Sequence, residues 1–270
     1  MDINVIKQKL AAQQSTTAKK EKVDYSKFYW KPKQEGKYQI RIVPSSVNPQ
    51  IPFQEVFIHY GISKFPIYAL TNWGEKDPIV EFTKSLRSTG DKENYFLAKK
   101  LDPKMRIFAP VIVRGEEDKG VRLWEFGKEI YMQLLGIAED EDYGDFTDIH
   151  EGRDFTIEAV LGDIAGRQGL KTSIRVKPKT TPLSENKDQI KIWLTEQPNI
   201  LEIQKKMSFE DLKDILTKFI NPETEETSEV AETTDSNDLP WEKPSTPSPS
   251  AKLKTSKADK FNAMFEEDEE

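Results

Sequence analysis

The chain of 270 residues has no cysteine and only two histidines, His59 and His150. Without thiols there is no disulfide, no thiolate zinc site and no cysteine nucleophile, and the composition fits a reducing compartment. No apolar run is long enough to span a bilayer, and the first residues lack the apolar stretch of a secretory leader. A soluble, non-secreted protein with no membrane partner is the expectation. The two histidines stand in no ligand motif, and the densest carboxylates lie in a loop and a tail without the spacing of a metal site. This argues against a metal-dependent nuclease and for a protein with no catalytic residue, metal or cofactor. Asp140, Asp142 and Glu151 do fall at positions 1, 3 and 12 of a calcium loop. Position 6, however, holds Asp145 where glycine is required, so a solvated acidic loop is expected. Gly162, Gly166 and Gly169 lack the following Lys-Ser/Thr of a phosphate loop and read as turn residues.

Hydrophobic residues are few, 36% against 32% charged, so part of the chain should lie outside any packed core. The net charge of −7 is unevenly spread. Residues 221–270 hold 14 of the 47 acidic residues and 5 of the 40 Lys and Arg, a net of −9, which leaves the first 220 residues at +2. A near-neutral body is therefore joined to an acidic tail rich in Glu, Thr, Ser and Pro, with no hydrophobic period and an expectation of disorder. Within the tail, four lysines precede Phe261, Met264 and Phe265 at helical spacing and five acids follow, a pattern suited to a short partner-binding motif.

What is present centres on residues 95–135. A strand over residues 104–114 alternates, with Met105, Ile107, Val111 and Val113 on one face and Lys104, Arg106 and Phe108 on the other. A second strand over 121–126 puts Val121 and Leu123 opposite Arg122, Trp124 and Phe126. Paired as a hairpin, the two would set rows of cations and rings side by side. Cations track phosphates and exposed rings stack on unpaired bases, which is chemistry for a single-stranded nucleic acid. The alternative is a sheet buried on both sides, with Phe108, Trp124 and Phe126 in the core and the cations at its rim.

The remaining pattern is mainly β. Strands are expected over 38–43, with Arg41 opposite Tyr38, Ile40 and Ile42, and over 53–60. A hairpin over 155–177 lines up Lys171, Ser173, Arg175 and Lys177 as a further basic row. Residues 61–94 are irregular, with a short helix near Pro78, and read as an inserted subdomain. Helices are expected over 128–137 and from Ser208, where Asp211 completes a capping box and Phe209, Leu212, Ile215, Leu216 and Phe219 form the buried stripe. Residues 2–13 form a short amphipathic helix with Ile3, Ile6 and Leu10 on one stripe and Lys7 and Lys9 elsewhere. It is too short to stand alone and needs a surface, on its own domain or on a neighbouring copy.

Several segments, in order, resemble the single-stranded DNA-binding (helix-destabilising) proteins of T-even-type phages. They are Lys9-Leu-Ala-Ala-Gln13, Arg41-Ile-Val-Pro-Ser45, Asn94-Tyr-Phe-Leu-Ala-Lys-Lys100 and Phe126-Gly-Lys-Glu-Ile130. The resemblance implies an α+β, mainly β fold: an OB-fold barrel core over residues 23–220 with an inserted subdomain at about 61–94, peripheral helices and a disordered acidic tail over 221–270. It implies an arm, residues 1–22, for self-association along DNA, and a tail that recruits replication and recombination proteins. The setting would be the cytoplasm of an infected host cell, with roles in phage replication, recombination and repair. By this likeness Tyr95, Lys99, Lys100 and Trp124 line the DNA groove, joined on chemical grounds by Arg41, Lys104, Arg106, Phe108, Arg122, Lys171, Arg175 and Lys177. The family holds zinc through one histidine and three cysteines. Here His59 stands at the histidine position while Asp77-Pro-Ile-Val80 replaces the cysteine pair, so no zinc is expected, and the insertion should be held by packing among Phe65, Tyr68, Trp73, Ile79, Val80 and Phe82. A protein-interaction scaffold is the other reading; it accounts for the tail but not for basic rows in strands.

Overall fold

The fold is that of a computed structural model describing residues 27–164 and 166–221, with the backbone alone at Arg167. The arm residues Ile3, Ile6, Lys7, Lys9 and Leu10 and the tail residues Phe261, Met264 and Phe265 lie outside the described residues. In chain order the strands are β1 (Tyr29–Trp30), β2 (Gly36–Ile42), β3 (Gln54–His59), β4 (Ile67–Tyr68), β5 (Lys104–Val113), β6 (Arg122–Phe126), β7 (Arg153–Ile164) and β8 (Arg167–Thr180). The helices are α1 (Pro78–Ser88), α2 (Lys92–Leu101), α3 (Lys128–Glu139), α4 (Lys187–Thr195), α5 (Ile200–Ile203) and α6 (Phe209–Ile220). The class is α+β. By packing the described residues form two compact units, one of residues 27–54 with Ile107–Asn199 and one of Glu55–Arg106 with residues 200–221.

In the first unit the strand order is β1-β6-β5-β2-β7-β8. β2 is central: it runs antiparallel to β5 (Ile40 opposite Val113) and to β7 (Gly36 opposite Ala159, Ile40 opposite Phe155). Alternation in β2 and β7 sends Ile40, Ile42, Phe155, Ile157 and Ala159 inward, where all are buried.

The β5–β6 hairpin departs from the expectation of an exposed basic and aromatic face. Its register pairs Ala109 with Trp124, Phe108 with Glu125 and Ile107 with Phe126. Directly paired residues share a face, so Trp124 and Phe126 lie with Ile107 and Ala109, while Phe108 lies on the opposite face with Leu123. Both faces are then covered. Trp124 packs on Phe126 (ring centroids 4.4 Å) and Trp30 (6.3 Å), and Phe126 on Phe53 (6.1 Å). On the other side Phe108 meets Tyr29 (6.2 Å), and Ile112 and Val121 pack with Leu183 and Trp193.

The second unit is built on capped helices. Asp77 caps α1, accepting from the N–H groups of Ile79 and Val80, with Pro78 in the first helical position. Ser208 and Asp211 form the expected capping box of α6. One core gathers Ile62, Ile67 and Leu70, Ile79, Phe82 and Leu86 of α1, Ala98 and Leu101 of α2, and Leu212, Leu216 and Ile220 of α6. Phe65, expected in this packing, is instead 70% exposed, because the loop joining β3 to β4 buries Ile62 and Ile67 and leaves the ring between them outside.

Candidate functional site

Helix α2 begins at Asp91, whose side chain accepts from the Glu93 N–H, and carries Lys99 and Lys100 in its last turn, where cations complement the helix dipole. Its inner side is Asn94, Ala98 and Leu101, all buried. Its outer side is unusual: Tyr95 is 52% and Phe96 56% exposed, their rings 5.9 Å apart at 72°. Four residues further along the same rows stand Lys99 and Lys100, also exposed. The Lys100 ammonium lies 5.4 Å from the ring of Phe219, and exposed Lys104 donates to the Lys99 carbonyl at 3.2 Å. One face of this helix thus presents two adjacent rings and two cations to solvent, followed by a third cation. Aromatic rings left out of a core and flanked by cations suit stacking on unpaired bases with phosphates close by.

The helix is fixed from below. His59 Nδ1 donates to the carbonyl of Leu101, the last residue of α2, at 2.9 Å, and its Nε2 lies 3.4 Å from Asp77 Oδ2. Asp77 also accepts from the Leu70 N–H at 2.8 Å. Burial alone would raise the Asp77 carboxyl, but the His59 hydrogen bond and charge and the Leu70 and Val80 N–H groups outweigh it and hold it below its ordinary value. His59 and Asp77 thus tie a strand, the start of α1 and the end of α2 together by hydrogen bonds. Among the described residues no group of three or more His, Asp or Glu is placed to hold a metal.

A second cationic surface lies on the β2–β7–β8 face of the first unit. Lys171, Ser173 and Arg175 project from β8 and are exposed, and across the strands lie Glu158, which pairs with Lys37 at 3.6 Å, and Thr156. Lys177, at the end of this row, is half-buried and donates to Gln39 Oε1 at 2.7 Å. No ring stands in the row.

The other sequence candidates fall elsewhere. Phe108 and Trp124 are 1% and 2% exposed, inside the core, and have no face to offer a base. Arg41 is fully buried: it donates to Asp154 at 2.9 Å and to Thr181, and Arg114 joins the same carboxylate at 3.0 Å. Burial lowers the Arg41 pKa, and the Asp154 charge opposes that. Arg122, 5% exposed, donates to Glu116 at 2.6 Å, which, more than any other interaction, holds the Glu116 carboxyl below its usual range. These two arginines organise the sheet from within, and neither is presented to a phosphate. Arg106 is half-buried. Sequence reasoning did not single out Phe96. The signal for Phe96 was the cap at Asp91, the last-turn lysines and Pro103 beyond them, which mark residues 92–101 as a helix and so put Phe96 beside Tyr95 rather than across a strand from it.

No helix among the described residues is long and apolar enough to cross a membrane. No curated protein matches the chain. The sequence does match the family described as gp32 DNA binding protein like over residues 34–221, well over half of its length and nearly all of both units. The ring-and-cation helix, the basic sheet face and this match lead to one statement: the chain belongs to the gp32-like family of DNA-binding proteins.

Proposed function

We propose that the protein binds single-stranded DNA with little sequence preference, coats it, and acts in phage DNA replication, recombination and repair. The observation that carries this reading is the outer face of α2, where Tyr95 and Phe96 are available for stacking beside Lys99 and Lys100. Stacking on a ring is sequence-tolerant because every base has a π face, and the cations supply the salt-dependent part of the affinity. Lys104, Lys171 and Arg175 add phosphate contacts. A protein that binds only the open strand shifts melting toward single strands by mass action, with no catalytic group. The antiparallel order β6-β5-β2-β7 and the burial of β5 and β6 on both faces support an OB-type barrel for the first unit. The basic residues of segment 1–22 support self-association along the strand, and the net −9 of residues 221–270 supports recruitment of other replication proteins and competition with DNA for the cations. The family's phage setting supports action in the cytoplasm of an infected cell.

The test is an anisotropy titration of labelled oligo(dT) and a matched duplex at several salt concentrations. A labelled strand is preferable to tryptophan quenching, because three of the five tryptophans, Trp30, Trp124 and Trp193, are buried. The reading expects saturable binding to oligo(dT), a logarithmic salt slope of about −0.7 per phosphate neutralised, and no comparable response to the duplex. Equal binding to both, or to neither before and after removal of residues 222–270, sinks it.

A further inference from the structure

The β7–β8 hairpin outruns the sheet it belongs to. β2 flanks β7 only as far as Ala159, whereas the pairing of β7 with β8 continues through Val160 opposite Lys171 and Gly162 opposite Gly169 to Ile164 opposite Arg167. Five residues of each strand therefore run beyond the pairing with β2 as a two-stranded ribbon, about 16 Å long at the usual rise per residue. Gly166 turns it with φ +81°, and Asp163 closes the turn by accepting from the Gly166 N–H at 2.8 Å. The ribbon is apolar where solvent would favour polar side chains: Val160 is 51% and Ile164 47% exposed.

These residues share one face. Val160, Gly162 and Ile164 alternate along β7, and Gly169 and Lys171 face the same way from β8. The two glycines leave a flat floor that the neighbours cover: the Ile164 terminal methyl sits where a Gly169 Cβ would come within 2.9 Å, and the Lys171 methylenes lie 3.0 Å from where a Gly162 Cβ would stand. The result is a low aliphatic shelf, continuous with the row Lys171, Ser173 and Arg175 further down β8. Of the carboxylates nearby, Asp163 is engaged in the turn, Glu35 accepts from the Leu161 N–H at 2.7 Å, and Glu158 pairs with Lys37.

We propose that this shelf receives the paired end of a nucleic acid at a junction between single and double strands. Lys171 and Arg175 hold the backbone, and Val160 and Ile164 lie against the base face laid bare when the terminal pair opens. The inference rests on the single-strand reading and deepens it. Single bases gain most from rings, which the shelf lacks, whereas proteins that part base steps do so with apolar wedges, Leu and Ile among them, presented beside cations. Placed there, the shelf stabilises the frayed state of the first pair.

The test uses the full chain and a duplex with a single-stranded tail, carrying 2-aminopurine at the first paired position, whose fluorescence rises on unstacking. Val160→Ser with Ile164→Ser removes the shelf. Leu161→Ser, at a residue 54% exposed on the opposite face of the ribbon, is the control. The shelf variant should keep oligo(dT) affinity within about twofold and open the junction roughly tenfold more slowly, equivalent to about 1.4 kcal/mol. The control should change neither, and Ile164→Leu in an otherwise unaltered chain should open the junction normally. Because the substituted side chains are half exposed, matched circular dichroism and unfolding curves are expected; a shelf variant that unfolds instead shows the residues to be core and overturns the proposal. Unchanged junction opening overturns the shelf and leaves single-strand binding intact. A variant that alters sedimentation of the free protein but not junction opening assigns the face to a second copy and overturns it too. Wild-type protein with no affinity for oligo(dT) overturns the single-strand reading, and the shelf with it.

Discussion

The β5–β6 hairpin and helix α2 are made of the same kinds of residue and use them in opposite ways. Arg122, Trp124, Phe126 and Phe108 in the hairpin are buried: Trp124 and Phe126 pack on one another, Phe108 meets Tyr29 on the opposite face, and the guanidinium meets Glu116. Tyr95, Phe96, Lys99 and Lys100 in the helix turn outward, while Asn94, Ala98 and Leu101 face the core. Composition does not separate the two. Geometry does: a strand buried on both faces has no side left for solvent, whereas a helix packed on one stripe keeps more than half its circumference free. Cations beside rings are therefore buried in one place and presented to solvent in the other.

The largest effect that distinguishes them is on stability. Trp124→Ala should cost about 3–5 kcal/mol in chemical denaturation, from reduced burial and the cavity left behind. The folded fraction should bind oligo(dT) as before. If the variant instead unfolds like the parent and binds tenfold less, Trp124 belongs with the helix and the contrast collapses.

Tyr95→Ala and Phe96→Ala should behave the other way. Both rings are half exposed, so unfolding should move by no more than about 0.5 kcal/mol. Affinity for oligo(dT) should fall by about 1–3 kcal/mol for each ring that stacks on a base. A difference between the two variants would show which ring meets the strand and which one supports it through their edge-to-face packing. The cations come next in size: Lys99→Ala with Lys100→Ala should make the logarithmic salt slope shallower by about 0.7 for every phosphate no longer neutralised, with little change in affinity at high salt.

Why one set was legible and the other was not follows from particular residues. The amphipathic stripes were readable because packing obeys periodicity: the capping box at Ser208, the helix after Pro78 and the hairpin carrying Lys171 and Arg175 all stand where their patterns put them. The face of the β5–β6 hairpin was not readable, because it depends on register. The loop between Val113 and Arg122 sets Ala109, not Phe108, against Trp124, and a one-residue change would have placed both rings on the same side. Periodicity within each strand carries no record of that choice. Nor could it show that Arg41 faces Asp154, 113 positions away in sequence. Helix α2 was hidden differently. The sequence reading assigns residues 95–100 to no element, and only on a helix over Lys92–Leu101 do Tyr95 and Phe96 become outward-facing neighbours.

The smallest effect tests what holds the outward-facing helix in place. His59 bridges the Leu101 carbonyl at the end of α2 to Asp77 at the start of α1, and the Asp77 carboxyl is held below its ordinary 3.8. A carboxyl whose folded pKa lies below its unfolded one adds stability that is fully present above the unfolded value and disappears as the pH falls toward the folded one. Asp77→Asn keeps an oxygen for capping the Ile79 and Val80 N–H groups but no longer titrates. The variant should be less stable than the parent at neutral pH, and the gap should narrow as the pH drops through 3.8 and below, measured by denaturation at each pH. A gap that stays constant in acid would mean that capping alone, and not the ionised carboxylate against His59, fixes the helix. In that case oligo(dT) binding by the Asn variant should equal that of the parent at every pH where both are folded. If instead the gap narrows and the Asn variant binds more weakly even where it is folded, the buried Asp77 carboxylate and its hydrogen-bond partners set the pose of Tyr95 and Phe96, and the outward face depends on a group as deeply buried as any in the hairpin.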